Sequence, residues 1–269
     1  MSEVASNYDH YRRSNDRWAL GRIVVPVARL PELSDVASAL RLRPDGVWRV
    51  SALTGNSPVD DVAAIVAWNA KEAGRFMIDA VEGRAASAEQ IKQFAHAFSN
   101  DFAVYVEIPA ADDPDELIAA IHRAGVRAKI RTGGVTRDAF PSAPHVARFL
   151  ARCAHHGVPM KATAGLHHPL HAEHPLTYAA DAPRGTMFGF LNVFIAAALA
   201  RTGLDEGEVT RVLEERDLSA FRFSADAMHW RTRSLATAGI SDARAQFAIA
   251  FGSCSFREPM HDLAQLGLS

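Results

Sequence analysis

The sequence predicts a (β/α)8 barrel, an α/β fold whose parallel strands close on themselves. Three observations predict it. Short runs rich in Val, Ile and Phe alternate with helical segments along most of the chain after residue 21, the order that gives a parallel sheet through right-handed crossovers. Helical segments end on Gly74, Gly125 and Gly157, with a strand starting at once; glycine there takes the left-handed turn that ends a helix. Eight strands are counted, beginning near Arg22, Trp48, Phe76, Phe102, Val126, Val158, Phe221 and Phe247, and eight such units in about 250 residues is the size of one barrel. A doubly wound open sheet is the rival. It would carry a glycine-rich fingerprint after its first strand, and RIVVPVARL is followed by none.

Each element has a local reason. Residues 1–21 mix both charge signs and read as a polar arm ahead of a single barrel domain, residues 22–269. Ser57 followed by Pro58 opens a helix after the Trp48–Gly55 strand, a cap and a first-turn proline in the favoured order. Ser87 with Gln90 forms a capping box before Ile91–Phe98. Asp113-Pro114 and Ser142 open the next two helices, and the strands DFAVYVEIP, VRAKIRTGG and VPMKATAG follow in the same rhythm. That rhythm breaks after His168 in a long stretch, HPLHAEHPLTYAADAPRGT; loops of that length are functional or mobile in most proteins. GFLNVFIAAALA and Glu206–Glu215 are then helices, FRFSADAMHW the seventh strand, Ser241 the cap of a short helix, FAIAFGSC the eighth strand, and Pro259–Leu266 a closing helix.

Composition bounds the function. The chain has 269 residues, 48% hydrophobic and 22% charged, with net charge -2, so nothing asks for nucleic acid as a partner. Its longest apolar run contains Asn192 and is too short to span a bilayer. The polar N-terminus does not resemble a signal peptide, and two distant cysteines suit a reducing compartment. A cytoplasmic protein is expected, with a small-molecule substrate and with homo-oligomerisation left open.

The chemistry is expected inside the barrel. With a period of two, Val104, Val106, Ile108, Ile130, Met160 and Ala162 face the helices. The lumen then receives Glu107, Lys129, Arg131, Lys161, Thr163, Arg222 and Asp226, with Arg49 and Asp79 or Glu82 from earlier strands. Such a set is either an internal ion-pair network or a site, and burying this many charges for stability alone is unfavourable. Lys129 and Lys161 sit at matching depth on neighbouring strands. Two close ammonium groups depress each other's pKa, and a neutral lysine attacks carbonyls. Lys161 is the candidate nucleophile or base, with Glu107 and Lys129 tuning it and His167 as a proton shuttle. Arg131, Gly133, Gly134, Thr163 and Gly165 offer guanidinium, hydroxyl and backbone N–H groups that suit a phosphate or carboxylate. His168, Arg222, Asp226 and Asn192 complete the expected substrate-binding set. No cofactor is required; the alternative is a divalent metal held by Asp79, Glu107 and one of the paired histidines. Cys254, between Ser253 and Ser255, is a possible nucleophile, with a small buried filler the favoured reading.

Lys161-Ala-Thr-Ala-Gly165 resembles the lysine strand of the class I aldolases, deoxyribose-phosphate aldolase in particular, where the phrase is Lys-Thr-Ser-Thr-Gly on the sixth strand. The resemblance implies a Schiff base on Lys161. It departs where that family carries a second lysine, on strand seven, since this chain has Arg222 there. YVEIP, Tyr105–Pro109, is similar to the fourth-strand phrase of the enolase superfamily, whose carboxylates bind magnesium, but Lys129 and Arg131 follow where a carboxylate would be needed. The expected function is an enzyme for a small anionic carbonyl compound, with lyase or isomerase chemistry. The loop from His167 to Gly185 would close over the site. The alternatives are a metal-dependent hydrolase or isomerase, and a non-catalytic barrel that binds or scaffolds.

Overall fold

Seven parallel strands alternate with helices in a computed structural model that describes residues 1–41, 46–55, 57–98, 101–110 and 113–267. The chain divides into two compact units, Met1–Val106 and Glu107–Ser269.

In the first unit the expected polar arm folds as helix α1 (Ser2–Arg12), which buries Ala5, Tyr8 and Asp9. The Tyr8 ring lies 5.0 Å from Trp48, and its hydroxyl donates to the Gly21 carbonyl at 2.9 Å. Strand β1 (Ile23–Pro26), α2 (Leu30–Ala39), β2 (Trp48–Leu53), α3 (Pro58–Lys71), β3 (Phe76–Arg84), α4 (Ala88–Ala97) and β4 (Ala103–Glu107) follow in strict alternation. Ser57 stands at the N-cap of α3, but its side chain makes no capping bond. Ser87 does accept from Gln90 N–H, and the Gln90 side chain accepts from Ala86 N–H rather than from the cap residue itself.

The second unit continues with α5 (Asp115–Arg123), β5 (Arg127–Arg131), α6 (Ala143–His156) and β6 (Met160–Thr163). Gly157 ends α6 with φ +65, returning bonds to the Ala154 and Cys153 carbonyls, and β6 begins three residues on. Past β6 the alternation stops. The stretch expected to be one long loop carries an antiparallel hairpin, β7 (Ala172–Pro175) with β8 (Arg184–Met187). Helices α7 (Phe190–Ala200) and α8 (Glu206–Leu213) come next.

The expected seventh barrel strand is a correction. Phe221–Phe223 (β9) pairs antiparallel with β10 (Ala227–Trp230), which pairs with β11 (Arg233–Ala236) in a separate three-stranded sheet. The hairpin was hidden because its first turn, Ser224–Asp226, has no glycine or asparagine and is closed by Ser224 bonding Ala227; the next turn has none either, and Arg231 itself takes positive φ, +52, a cost that L-residues rarely accept. Arg222, Ser224 and Asp226 are therefore exposed on this small sheet and not in a lumen. Helix α9 (Thr237–Gln246) starts before Ser241, β12 (Ala248–Gly252) is the last strand, and α10 (Arg257–Gln265) closes the described chain.

The parallel sheet has seven strands in the order β1-β2-β3-β4-β5-β6-β12. It is curled into a half-barrel and open, so the eight-stranded closed barrel is corrected to an open α/β sheet. Strand β6 takes β12 as its next neighbour because β9 is spent in its own hairpin. On β5 and β6 both faces are buried, with Ala128, Ile130, Met160 and Ala162 on one and Lys129 and Lys161 on the other, as parallel strands covered on both sides require. Among the described residues no helix is long and apolar enough to cross a membrane.

Candidate active site

The carboxyl ends of parallel strands are where open α/β sheets place ligands, and in the second unit a row of buried charges runs toward that end. Glu107 closes β4, and Lys129 and Lys161 are exact register partners across β5 and β6. All three are buried, at 8%, 6% and 7% exposure. Lys129 Nζ lies 3.0 Å from Glu107 Oε2, and Arg131 Nε lies 3.6 Å from Oε1. Thr163 faces Gly252 across the β6–β12 pair, where an added Cβ would sit 3.0 Å from Thr163 Oγ1 and 3.8 Å from Lys161 Cε.

Of the 29 basic residues counted as lysine or arginine, only Lys71, Lys92, Lys129 and Lys161 are lysine. Arginine is this chain's cation for surface and structural pairing, as at Arg22 and Arg49 on Asp79 or Arg231 on Glu215. Two of four lysines being buried side by side is informative, because lysine can lose its proton and attack carbon where arginine cannot.

The expected anion loop has a different reason for its glycines. A Cβ on Gly133 would lie 2.5 Å from the Phe140 ring and 2.9 Å from Gly165 Cα, and Gly165 has φ +74. The two glycines let the exits of β5 and β6 touch. Thr132 ties the same crossing, with its N–H on the Thr163 carbonyl at 2.8 Å and its hydroxyl on Ala164 at 2.7 Å. Gly134 is likewise close-packed, against Ala139.

This crossing aims the next residues, and they form a second cluster. His167 Nδ1 lies 2.7 Å from Glu258 Oε2, and its Nε2 lies 3.7 Å from Cys254 Sγ. His168 Nδ1 lies 2.7 Å from Asp262 Oδ2, and its ring stacks on His174 at 3.5 Å. Glu258 and Asp262 stand four residues apart on α10, hence on one face, so one helix turn receives both histidines. The hydroxyl of Tyr178, from the segment between β7 and β8, donates to Glu258 at 3.1 Å.

Cys254 is exposed, so the filler reading is corrected. The His167 hydrogen bond, more than the opposing burial, holds its thiol below the ordinary range, helped by the imidazolium charge and by Tyr178. The reciprocal bond to Cys254, with Glu258 behind it, raises His167. Burial and the charges of Cys254 and Glu258 push Tyr178 up to about 12. Glu258, Asp262 and Tyr178 were absent from the expected site. The visible signal was Ser-Cys-Ser followed at Glu258 and Asp262 by carboxylates at helical spacing.

Other expected residues go elsewhere. Asn192 is fully buried in α7, accepting from His171 N–H and donating to the Val212 and Glu215 carbonyls; it is a backbone clamp and does not face a mouth. Asp79 is held by Arg22 and Arg49, and among the described residues no group of three or more His, Cys, Asp or Glu is arranged to hold a metal ion.

The histidines give a pH dependence. Burial, then the charge of His168, lowers His174 from 6.5 to about 4, and burial lowers His171 as well. The unfolded chain therefore takes up these protons first as pH falls, so stability is expected to drop between pH 6.5 and about 4. His167 has the opposite sign: its raised pKa adds stability below 6.5 that is lost as pH rises through its folded value. Thermal melts of wild type and His174→Asn across this window test the balance. The variant should show the shallower acid limb, and equal slopes would refute the assignment.

The chain matches no protein-family model and no curated protein.

Proposed function

We propose that this chain is an enzyme acting on a small anionic carbonyl compound, with lyase or isomerase chemistry at the carboxyl edge of β4, β5, β6 and β12. One observation carries the reading: Glu107 at the end of β4, Lys129 in the middle of β5 and Lys161 beside it in β6 are buried in a row across neighbouring strands. A buried ion pair is poor value as a stabiliser compared with apolar packing, and charged groups kept at such an edge suit a site. In this reading the Lys161 amine attacks the carbonyl carbon, a C–N bond forms, and water leaves to give an imine. Lys129 and Arg131, both drawn in by Glu107, meet the anionic group. The step uses no metal.

Borohydride trapping tests it. The protein is incubated with small aldehydes, ketones and keto acids, reduced, and read by intact mass and peptide mapping. Only four lysines and the amino terminus compete, so the map is simple. An adduct on Lys161, lost in Lys161→Ala, is the expected result. Adducts confined to exposed Lys71 and Lys92 would overturn the reading.

A further inference from the structure

An imine lowers the energy of a neighbouring carbanion, but lyase and isomerase reactions also need a group that moves a proton. The lysine row has no obvious candidate beyond Glu107, which is already engaged by Lys129 and Arg131. The other cluster at the same edge has one. We infer that Cys254, as a thiolate paired with the His167 imidazolium and oriented through Glu258, is the proton-transfer base of this enzyme. The inference rests on the carbonyl reading above and adds to it the residue that handles the proton.

Three separate segments converge on one sulfur. Cys254 leaves the end of β12, His167 leaves the end of β6, and Tyr178 comes from the hairpin loop between β7 and β8. Glu258 sits in the first turn of α10 and bonds the far nitrogen of His167 at 2.7 Å. That bond fixes which nitrogen faces the sulfur, the arrangement in which a carboxylate orients an imidazole toward its partner. The thiolate stands just ahead of the α10 N-terminus, whose partial positive charge favours an anion. Ser253 and Ser255 brace the loop, accepting from Ser255 N–H and Glu258 N–H at 3.3 and 3.2 Å. The titratable groups facing the pair are thus Glu258 and Tyr178, with His168, Asp262 and His174 beyond them. Cys153, by contrast, is fully buried in α6, with its pKa raised by burial.

The step balances without an oxidant. The C–H bond next to the carbonyl, or next to its Lys161 imine, breaks. Its proton goes to Cys254 Sγ, and the electron pair moves into the C=O or C=N system. Return of the proton to a different carbon gives an isomerase; if instead the electron pair expels a leaving group from the next carbon, a C=C bond forms, the leaving group departs with its bonding electrons and takes the proton from Cys254, and the result is a lyase. Cys254 is the catalytic residue in this scheme, and His167 and Glu258 are positioning residues.

Two readouts on the full-length protein test the inference. The first is iodoacetamide alkylation followed by mass spectrometry from pH 5 to 9, with Cys153 as the protected internal reference. Wild-type Cys254 should react at close to its plateau rate by pH 7. His167→Ala should restore the rise of about tenfold per pH unit of an ordinary thiol, and Glu258→Gln should shift the profile part of the way. The second is deuterium uptake from D2O into the carbonyl compound trapped on Lys161. Wild type should deliver an adduct labelled beside the former carbonyl; Cys254→Ser should form the adduct with labelling at least tenfold slower. An ordinary-thiol profile in wild type, or wild-type labelling in Cys254→Ser, overturns the inference. Absence of any Lys161 adduct instead overturns the carbonyl reading and takes the proton-transfer role with it, even where the alkylation profile is that of a thiolate.

Discussion

Glu107→Gln is expected to destabilise the protein by about 3–5 kcal/mol, the usual cost of removing one partner from a buried ion pair. Glu107 and Lys129 meet at 3.0 Å with side chains only 10% and 7% exposed. The amide keeps the shape and removes the charge, so Lys129 and Arg131 both lose the Glu107 carboxylate, Lys129 in a place water reaches poorly. Urea denaturation should show the loss as a lower midpoint at unchanged slope. The double variant Glu107→Leu/Lys129→Met should recover most of it, because apolar groups of similar volume replace a buried pair at little cost. That double variant should fold and yet trap carbonyl compounds poorly, which separates the pair's role in chemistry from its role in folding. A loss under about 1 kcal/mol for Glu107→Gln would mean that the pair is better solvated than its burial indicates.

Asn192→Leu is expected to cost on the order of 4 kcal/mol, since three buried backbone groups lose their bond to Asn192 at about 1–3 kcal/mol each, partly offset by apolar packing and by the bond that Val212 keeps with Glu215. Two of those groups are the carbonyls of Val212, in the last turn of α8, and of Glu215, two residues past it; Val212 also accepts from Glu215 N–H at 3.3 Å. The third is the N–H of His171. Asn192→Asp keeps an acceptor for His171 but loses both donors, and it should be no better. Hydrogen exchange at the His171 amide separates the local from the global effect. Faster exchange there under native conditions is expected in Asn192→Leu, while Asn192→Asp, which keeps the acceptor, should stay near wild type; unchanged exchange in Asn192→Leu would show that another acceptor replaces Asn192.

The alternation of strand and helix was legible as far as β6, because each joint has a local signature: Gly157 for α6, Ser87 for α4, the β-branched runs for the strands. The buried charge row was legible for the same reason. A period of two places Glu107, Lys129 and Lys161 on one face, and those residues are indeed buried together. The reading failed where tertiary context overrides local pattern. FRF and AMHW look like one parallel strand, but the chain turns between them at Ser224–Asp226, where Ser224 bonds Ala227, and the two halves pair antiparallel. Asp79 and Glu82 could not be phased because β3 carries a register shift opposite Val50 and Ser51; one carboxylate ends on two arginines and the other on Ser51. Asn192 looked functional because polar residues in apolar helices often are, and here it ties backbone instead. In sequence Cys254 reads as a possible nucleophile but by preference as a buried filler, and it is exposed. A lone cysteine has no partner in sequence, and its partner histidine lies 87 residues away.

That separation has a consequence for how the molecule is made. The pairing of β6 with β12 and the meeting of His167 with Cys254 both wait for the last stretch of chain. Closing an 87-residue loop costs about 4 kcal/mol in chain entropy before any contact repays it, so these contacts should form late and slowly. During synthesis β6 is an edge without its neighbour, bearing a buried-type apolar face and Lys161, and such edges invite pairing with other chains. The Cys254 sulfur therefore meets the His167 imidazole only when the sheet is complete, and a chain cut short before β12 has the lysine row without that pair.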